Sequence, residues 1–222
     1  MLQHRFRPAG LRLAALLGEG ALGAVLGCST TIRLWRPQSY YDEPGRGTLA
    51  RDGGGVLMSQ GIHTLDLMLS LAGPVTEVTG YVTTTSVHRM ETEDMVTAAA
   101  RFANGAVGVI EATTAAFPGF PEEIALTCEK GTALLRGTEL LVQWQDGRRE
   151  TVAPDQSAGG TGADPMAFPH DYHRSVIADF VAAIREGRNP KVTGEEALKV
   201  HRLIDALIAT GWTGAPVAVA TA

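Results

Sequence analysis

Apolar residues recur every three or four positions in four stretches of this chain, a spacing that predicts amphipathic helices. Pro8 stands at the favoured first position of the earliest helix, and Gly18 ends it. Thr193 and Glu196 form a capping box at the start of the last one. The predicted helices cover residues 8–18, 56–71, 171–186 and 194–210.

Between the second and third helices, apolar and polar residues alternate, which is typical of β-strands with one buried face. Asn104-Gly105 and Asp146-Gly147 lie between strand pairs and favour hairpin turns. The predicted strands cover residues 25–34, 75–86, 95–102, 107–114, 124–128, 132–135, 140–143 and 149–152, with short strand ends at 2–6 and 216–219. We therefore predict a single α+β domain over residues 1–222: a large, open, mostly antiparallel sheet with helices packed on one face.

The second face of such a sheet has no helix to cover it. Alternate positions there are small or weakly polar, as in the run Thr97-Ala98-Ala99-Ala100. Another copy of the same chain often buries a flat face of this kind, which predicts a homo-oligomer. A solvated, threonine-rich face is the alternative, and composition alone does not separate the two.

The composition is that of an ordinary globular protein, because 45% of the 222 residues are apolar, 19% are charged and the formal net charge is −5. Basic residues are scattered, so no surface is predicted to bind nucleic acid or an anionic membrane. Two cysteines, Cys28 and Cys128, are too few for a disulfide framework and lack the spacing of a zinc site. The reducing cytoplasm is therefore the expected location.

The N-terminus imitates an export signal, because three arginines precede an apolar stretch over residues 13–26 that ends just before Cys28. Gly18-Glu19-Gly20 interrupts this stretch, and no run reaches the roughly 20 apolar residues of a membrane span. We therefore interpret the segment as part of a soluble fold. An exported lipoprotein, anchored at Cys28, is the alternative.

The run from Gly18 to Gly23 matches GxGxxG, the pattern of dinucleotide-binding loops. Such a loop needs a strand before it and a helix after it, so that the pyrophosphate meets a helix N-terminus. Here the predicted helix comes first and the strand follows. We interpret these glycines as a helix stop followed by a turn.

The most informative segment is the glycine-rich start of the second predicted helix. Gly53-Gly54-Gly55 permits close approach of the backbone, and four polar residues follow within two turns: Ser59, Gln60, His63 and Asp66. Side chains three or four residues apart share a helix face, so Ser59 and His63, and His63 and Asp66, are neighbours in a polar group that, with Gln60, is a candidate for binding. A histidine satisfied in the core is the ordinary structural account. His63 and Asp66 alone are too few to predict a metal site.

The loop over residues 35–53 supplies further candidates for substrate binding. Trp35 and Tyr40 suit a polyhydroxylated ring, and Arg36 suits a phosphate or carboxylate. A surface loop packed by its own aromatic rings is the alternative. Arg5, before the first helix, could approach the same pocket, although a solvated arginine is the simpler account.

These motifs resemble, in order along nearly the whole chain, those of the Gfo/Idh/MocA oxidoreductases, the glucose–fructose oxidoreductase and inositol dehydrogenase family. The resemblance is carried by QHRFRP, WRPQSYYDEPGRGT, GGGVLMSQGIHTLDLMLSLAGPV, RFANGAVGVIEATT, HRSVIADFVAAIREGRNP and VTGEEALKVHRLIDAL. It implies NAD or NADP as coenzyme, and a sugar, nucleotide sugar or cyclitol as substrate. It also implies that His63 contacts the hydroxyl that is oxidised.

Ser59 stands where many members of that family have aspartate. Serine does not act as a carboxylate base, so proton removal would fall to His63 or to a lysine. A neutral imidazole with a pKa near its ordinary value of about 6.5 suits that role.

The resemblance covers only the family's second domain, which binds substrate and builds the oligomer. Family members have an N-terminal Rossmann domain that ends in a Glu-Lys-Pro motif, whereas this sequence contains only Glu129-Lys130-Gly131 in a strand-turn context. With the Rossmann domain and its lysine absent, we expect no tight NAD(P) binding and no dehydrogenase activity from the chain alone. The alternative function is a non-catalytic oligomerisation or binding module with a vestigial pocket.

Overall fold

The computed structural model describes residues 1–155 and 170–220, which form a nine-stranded sheet with helices on one face. The strands are β1 (Val25–Arg33), β2 (Val75–Thr83), β3 (Met95–Phe102), β4 (Val107–Thr113), β5 (Glu123–Cys128), β6 (Gly131–Arg136), β7 (Glu139–Trp144), β8 (Arg149–Val152) and β9 (Val217–Ala218). Their order is β8-β7-β6-β5-β1-β4-β3-β2-β9, and every neighbouring pair is antiparallel except β1 with β4. The predicted α+β architecture is confirmed.

Six α-helices accompany the sheet in the part of the chain that the structure describes. They are α1 (Pro8–Gly18), α2 (Gln38–Tyr41), α3 (Leu49–Asp52), α4 (Ile62–Ala72), α5 (Asp171–Glu186) and α6 (Gly194–Thr213). Helix α1 packs on β6 and β7, α4 on β1 and β5, and α6 on β2. Leu13, Leu65 and Leu203 are fully buried between these helices and the sheet, and each such leucine stabilises the fold by about 1.5–3 kcal/mol.

Two local predictions were wrong. Residues 2–6 are not a strand end, because Gln3–Phe6 forms a 3₁₀ turn that packs against α4 and α5 instead of joining the sheet. The predicted loop over residues 35–53 contains the one-turn helices α2 and α3, and Thr48 caps α3 by accepting a hydrogen bond from the Arg51 N–H. Most of the loop predicted over residues 153–169 lies outside the described residues.

The glycine and capping predictions are largely confirmed. Residues 18–23 connect the end of α1 to β1, so a helix precedes the glycines and a strand follows them. Gly105 and Gly147 have φ angles of 88° and 90°, as their hairpin turns require. At α6, Thr193 Oγ1 accepts the Glu196 N–H at 3.1 Å, but the Glu196 carboxylate contacts Arg5 and Lys199 rather than completing the box.

The face of the sheet opposite α1, α4 and α6 has small and β-branched side chains at its centre. One transverse row pairs Ala99 with Val109, Val109 with Ser29, and Ser29 with Ala125. Val109 is 51% exposed, although a strand at this depth of a nine-stranded sheet would normally be covered. The predicted flat, weakly polar face is therefore present. No helix among the described residues is long and apolar enough to span a bilayer.

Candidate functional site

Gln60 and His63 lie on one continuous helix, which begins with a π-helical turn (Leu57–Gly61) and continues as α4. Such turns are rare and are frequent at functional sites. A Cβ atom on Gly61 would lie 3.1 Å from the Val56 carbonyl oxygen and 3.5 Å from Ile32 Cδ1 of β1. The tight contact is with Val56 in the preceding turn, whereas Ile32 lies at an ordinary van der Waals distance. A glycine here costs a helix about 1 kcal/mol relative to alanine.

His63 is partly exposed and packs against a second imidazole that the sequence analysis did not select. Its ring centroid lies 5.2 Å from that of His4, in a tilted arrangement. Arg7 Nη2 lies 2.6 Å from His4 Nε2. Because a guanidinium only donates, His4 Nε2 accepts this hydrogen bond, and the proton of the neutral ring is on Nδ1.

The electrostatic environment keeps both imidazoles uncharged. Burial, followed by the N-terminal amine, Arg7 and His173, lowers the pKa of His63 to about 4. Burial, followed by Arg7, also lowers the pKa of His4 well below its ordinary value. The expectation that the pKa of His63 stays near 6.5 was therefore wrong, because sequence does not reveal desolvation. A neutral His63 accepts hydrogen bonds at pH 7 but is a weak general base.

Several polar atoms around His63 are shielded from solvent without a hydrogen-bond partner among the described residues. They include His63 Nδ1, His4 Nδ1 and Gln60 Oε1. Buried polar atoms are normally paired, and each unsatisfied one costs about 1–3 kcal/mol. Because these atoms are shielded from solvent, a ligand hydroxyl pairs with them only where neighbouring side chains move aside, whereas the exposed part of the His63 ring is directly accessible.

Tyr40 connects this helix to the loop that follows β1. Gln60 Nε2 donates to Tyr40 Oη at 3.4 Å, and Arg46 Nη1 donates to the same oxygen at 2.8 Å. The guanidinium carbons of Arg36 and Arg46 lie 5.4 and 4.3 Å from the centre of the Tyr40 ring. The structure thus brings Gln60, Arg36 and Arg46 to Tyr40, and substrate binding by Gln60, Tyr40 and Arg36 stays a prediction.

Two of the other predicted binding residues lie beside this group. Trp35 is partly buried, and its ring packs edge-on against Phe117 with centroids 5.5 Å apart. Ser59 is exposed, and its hydroxyl lies 3.5 Å from the Gly54 carbonyl oxygen. Contact of Trp35 or Ser59 with a substrate remains a prediction.

Arg5 has a different environment from the solvated or substrate-facing positions considered for it. Its Nε and Nη2 atoms donate to the two carboxylate oxygens of Asp66 at 2.8 and 2.6 Å. Its Nη1 atom donates to Glu196 at 3.3 Å. Arg5 therefore joins the N-terminal turn, α4 and α6 through its guanidinium, so substrate binding by Arg5 remains a prediction that must compete with these bonds.

Three further residues at the site, His4, Arg7 and Arg46, were not predicted from the sequence. His4 and Arg7 belong to the same QHRFRP segment as Arg5, so the segment was a usable signal although only Arg5 was selected. Arg46 follows Tyr40 in the loop and carried no local signal. No group of three or more His, Cys, Asp or Glu side chains that could hold a metal exists within residues 1–155 and 170–220.

The fold and these segments match known proteins. The sequence model of the GFO/IDH/MocA C-terminal domain matches residues 11–134. The chain is 26% identical, over 226 residues, to D-xylose 1-dehydrogenase (NADP(+)) 2 from Haloferax volcanii, with 96% of this chain and 62% of that protein covered.

Two solved structures illustrate the likeness. The WlbA dehydrogenase from Bordetella pertussis, in complex with NADH and UDP-GlcNAcA, is 26% identical with a TM-score of 0.80, and the match covers 100% of this chain and 64% of that one. Levoglucosan dehydrogenase, in complex with NADH and levoglucosan, is 22% identical with a TM-score of 0.83 over 98% of this chain and 65% of that one, which shows the shared fold.

This chain spans 62–65% of the length of these three proteins. The family model covers more than half of it, from within α1 to β6. The nine-stranded, mostly antiparallel sheet and the helix that carries His63 fall within the region of structural likeness. The chain therefore belongs to the GFO/IDH/MocA family, as its C-terminal domain.

Proposed function

We propose that this chain is the substrate-binding and oligomerisation part of an NAD(P)-dependent oxidoreductase that acts on a hydroxyl of a sugar, nucleotide sugar or cyclitol. The observation that carries the proposal is the cluster of unpaired polar atoms at His63, His4 and Gln60 beside Tyr40. The names of the relatives, which include a D-xylose and a levoglucosan dehydrogenase, support a sugar-like substrate.

In this proposal each residue has a role that follows from its chemistry. Neutral His63 accepts a hydrogen bond from the substrate hydroxyl, and the Gln60 amide bonds a neighbouring hydroxyl. The aromatic face of Tyr40 suits a sugar ring. Arg36 and Arg46 also lie against that ring, so a sugar would share it with them. Arg46 pairs with Glu43 at 3.1 Å, and an anionic group on the substrate, such as a carboxylate or diphosphate, would take the place of that carboxylate.

The GxGxxG run of this chain does not have the context of a coenzyme-binding loop. The one GxGxxG run lies between α1 and β1 in the reverse order of helix and strand, and a pyrophosphate needs a helix N-terminus after the glycines. We therefore propose that a Rossmann domain outside these 222 residues binds the coenzyme, and that the chain alone neither binds it tightly nor catalyses the reaction.

The first test measures sugar binding by the chain itself. Isothermal titration calorimetry with UDP-GlcNAcA, levoglucosan and D-xylose is expected to detect binding of at least one. His63→Ala should weaken that binding at least tenfold, which corresponds to about 1.4 kcal/mol, because a buried hydrogen-bond acceptor is lost. His170→Ala, which changes an exposed histidine at the start of α5, is the matched control. Equal affinities for wild type and His63→Ala would favour a vestigial pocket.

We further propose that the open face of the sheet forms the homo-oligomer interface. Val109 lies near the centre of that face and is 51% exposed. Val109→Glu places a charge there, and burying an unpaired charge is costly. Multi-angle light scattering should therefore show a smaller assembly for Val109→Glu than for wild type.

Leu198→Glu is the control for this experiment, because Leu198 is similarly exposed but lies on α6, on the helical side of the sheet. An assembly of unchanged size in Val109→Glu, or an equal loss in Leu198→Glu, would contradict the proposed interface.

The cytoplasm remains the proposed location. Cys28 lies in the middle of β1 and is buried, and burial raises the pKa of its thiol to about 11. A buried sulfur with a raised pKa is unreactive in this fold, which supports the cytoplasmic proposal over the lipoprotein alternative. Buried free thiols agree with a reducing compartment.

A further inference from the structure

The geometry points to Glu93 and Asp94 as positioning residues that hold the two halves of the candidate site in register. Neither residue was selected from the sequence, and both are buried at the end of the loop that leads into β3. The inference rests on the proposed function, because it concerns the same binding site. It adds the residues that fix where Gln60, His63 and Arg36 lie.

Glu93 fixes the start of the helix that carries Gln60 and His63. Its Oε2 atom accepts the Gly55 N–H at 3.0 Å, and its Oε1 atom accepts the Leu57 N–H at 3.1 Å. Its main-chain oxygen accepts the Val56 N–H at 2.9 Å. Glu93 thus accepts from three successive N–H groups that a helix start leaves without partners. Its negative charge lies at the positive end of the helix dipole, where it is stabilising.

The contact between Glu93 and Gly55 allows little movement. A Cβ atom on Gly55 would lie 1.8 Å from the Glu93 carbonyl oxygen, so the two backbones approach more closely than any other residue would permit. The first turn of the helix is therefore fixed against the loop before β3. Gln60 lies one turn beyond this contact and His63 two turns beyond it.

Asp94 fixes the other half of the site through a histidine. Its Oδ2 atom lies 2.6 Å from His88 Nδ1, and His88 Nε2 lies 2.8 Å from the Arg36 carbonyl oxygen. Because a carbonyl only accepts hydrogen bonds, His88 Nε2 carries a proton and donates a hydrogen bond to the Arg36 carbonyl oxygen. The Thr85 N–H and hydroxyl also donate to Asp94, each at 2.7 Å. This network holds the main chain at the peptide bond between Arg36 and Pro37.

The segments that Glu93 and Asp94 hold meet where the helix contacts the loop. Gln60 comes from the segment that Glu93 holds, and Arg36 comes from the segment that Asp94 holds. Both side chains meet the same residue, because Gln60 bonds Tyr40 Oη and the Arg36 guanidinium lies against the Tyr40 ring. Two adjacent residues of one loop therefore set the separation of the groups that would face a substrate.

Glu91 provides a matched control in the same loop. It is exposed, and its Oε2 atom accepts the Leu49 N–H at the start of α3 at 3.2 Å. It therefore makes the same kind of carboxylate-to-backbone bond, but to a helix that carries none of the candidate residues. If Glu93 only ordered this loop, changes at Glu91 and at Glu93 would have the same effect. If Glu93 positions the site, only changes at Glu93 affect Gln60 and His63.

The experiment uses the isotope-labelled chain in solution. Glu93→Gln keeps the size of the side chain but turns an N–H donor toward a backbone N–H. We expect hydrogen exchange at the Leu57 amide to accelerate at least tenfold, the Gln60 side-chain and His63 ring resonances to shift, and the dissociation constant for UDP-GlcNAcA to rise at least tenfold. The Asp94→Asn variant should shift the Trp35 indole resonance and weaken binding in the same way. Glu91→Gln should change none of these.

A double variant separates positioning from general stability. If Glu93 acts through Gln60 and His63, adding Glu93→Gln to His63→Ala weakens binding by less than Glu93→Gln weakens it in the wild type. Additive losses, unchanged Gln60 and His63 resonances in Glu93→Gln, or unfolding of the whole sheet in that variant would overturn the inference. If wild type binds no UDP-GlcNAcA, the proposed preference for an anionic sugar fails, while the exchange and resonance measurements still decide the role of Glu93.

Discussion

Replacing Asp66 with alanine is expected to lower the free energy of unfolding by about 3–5 kcal/mol, the typical loss when one member of a buried ion pair is removed. The Asp66 side chain is fully buried and that of Arg5 is 10% exposed. The pair is bidentate, with N–O distances of 2.8 and 2.6 Å. Without Asp66, the Arg5 charge keeps only the Glu196 contact at 3.3 Å, so it stays buried and poorly compensated. Urea denaturation, followed by circular dichroism, measures the change.

Glu150→Ala is the matched control for Asp66→Ala. Glu150 also forms a bidentate pair, with Arg12, at 2.5 and 2.9 Å. The Arg12 and Glu150 side chains are each about one-third exposed, so water screens their attraction and the pair contributes little to stability. If the two variants lose the same stability, burial does not control the strength of the Arg5–Asp66 pair, and its role in joining three elements is wrong.

Local patterns in the sequence predicted most of the fold. Strand β3 was predicted over residues 95–102 and helix α5 over residues 171–186, and both have these bounds in the structure. These elements follow from alternation and from helical spacing, which a short window of sequence contains. The same holds for the turn glycines Gly105 and Gly147, because positive φ is a local property.

The sequence could not reveal pairings between distant segments. His4 contacts His63, Arg5 binds Asp66, and Glu93 binds the N–H groups of Gly55 and Leu57. Each pairing joins segments that are far apart in the chain, so no spacing rule predicts it. The 3₁₀ turn at Gln3–Phe6 was mistaken for a strand for the same reason, because its contacts with α4 and α5 decide its shape.

The candidate site was therefore predicted in part. Tyr40 and Arg36 were selected from residue types that suit sugars and anions, and His63 and Gln60 from the glycine-rich helix and the family resemblance. Gln60 and Arg36 both contact Tyr40, while contact of any of these residues with a substrate stays a prediction. The pKa of His63 was not predictable, because it depends on burial beneath the N-terminal turn and on the charge of Arg7. The burial of His63 also makes the stability of the whole protein depend on pH.

The stability of the chain is expected to fall as the pH is lowered from 6.5 toward 4, with His63 contributing about 3 kcal/mol of that loss. Burial lowers the pKa of His63 from 6.5 to about 4 in the folded chain, and each pKa unit corresponds to about 1.4 kcal/mol. Between these pH values the unfolded chain binds a proton at this residue and the folded chain does not. The contribution of His63 to stability is therefore fully present above pH 6.5 and is lost as the pH falls from 6.5 to 4, because proton binding then favours the unfolded chain.

His63→Phe removes the titrating group and keeps a ring of similar size, so urea denaturation at pH 7 and at pH 4.5 should show a smaller difference for this variant than for wild type. His4, whose pKa is also lowered by burial, leaves part of the pH dependence in place. Gln60→Ala, on the same helix, removes no titrating group, so its stability should differ between pH 7 and pH 4.5 by as much as that of wild type. A His63→Phe variant that loses as much stability as wild type would mean that His63 is solvated and protonates freely in the folded chain, and it could not then be the buried neutral acceptor that the proposed sugar site requires.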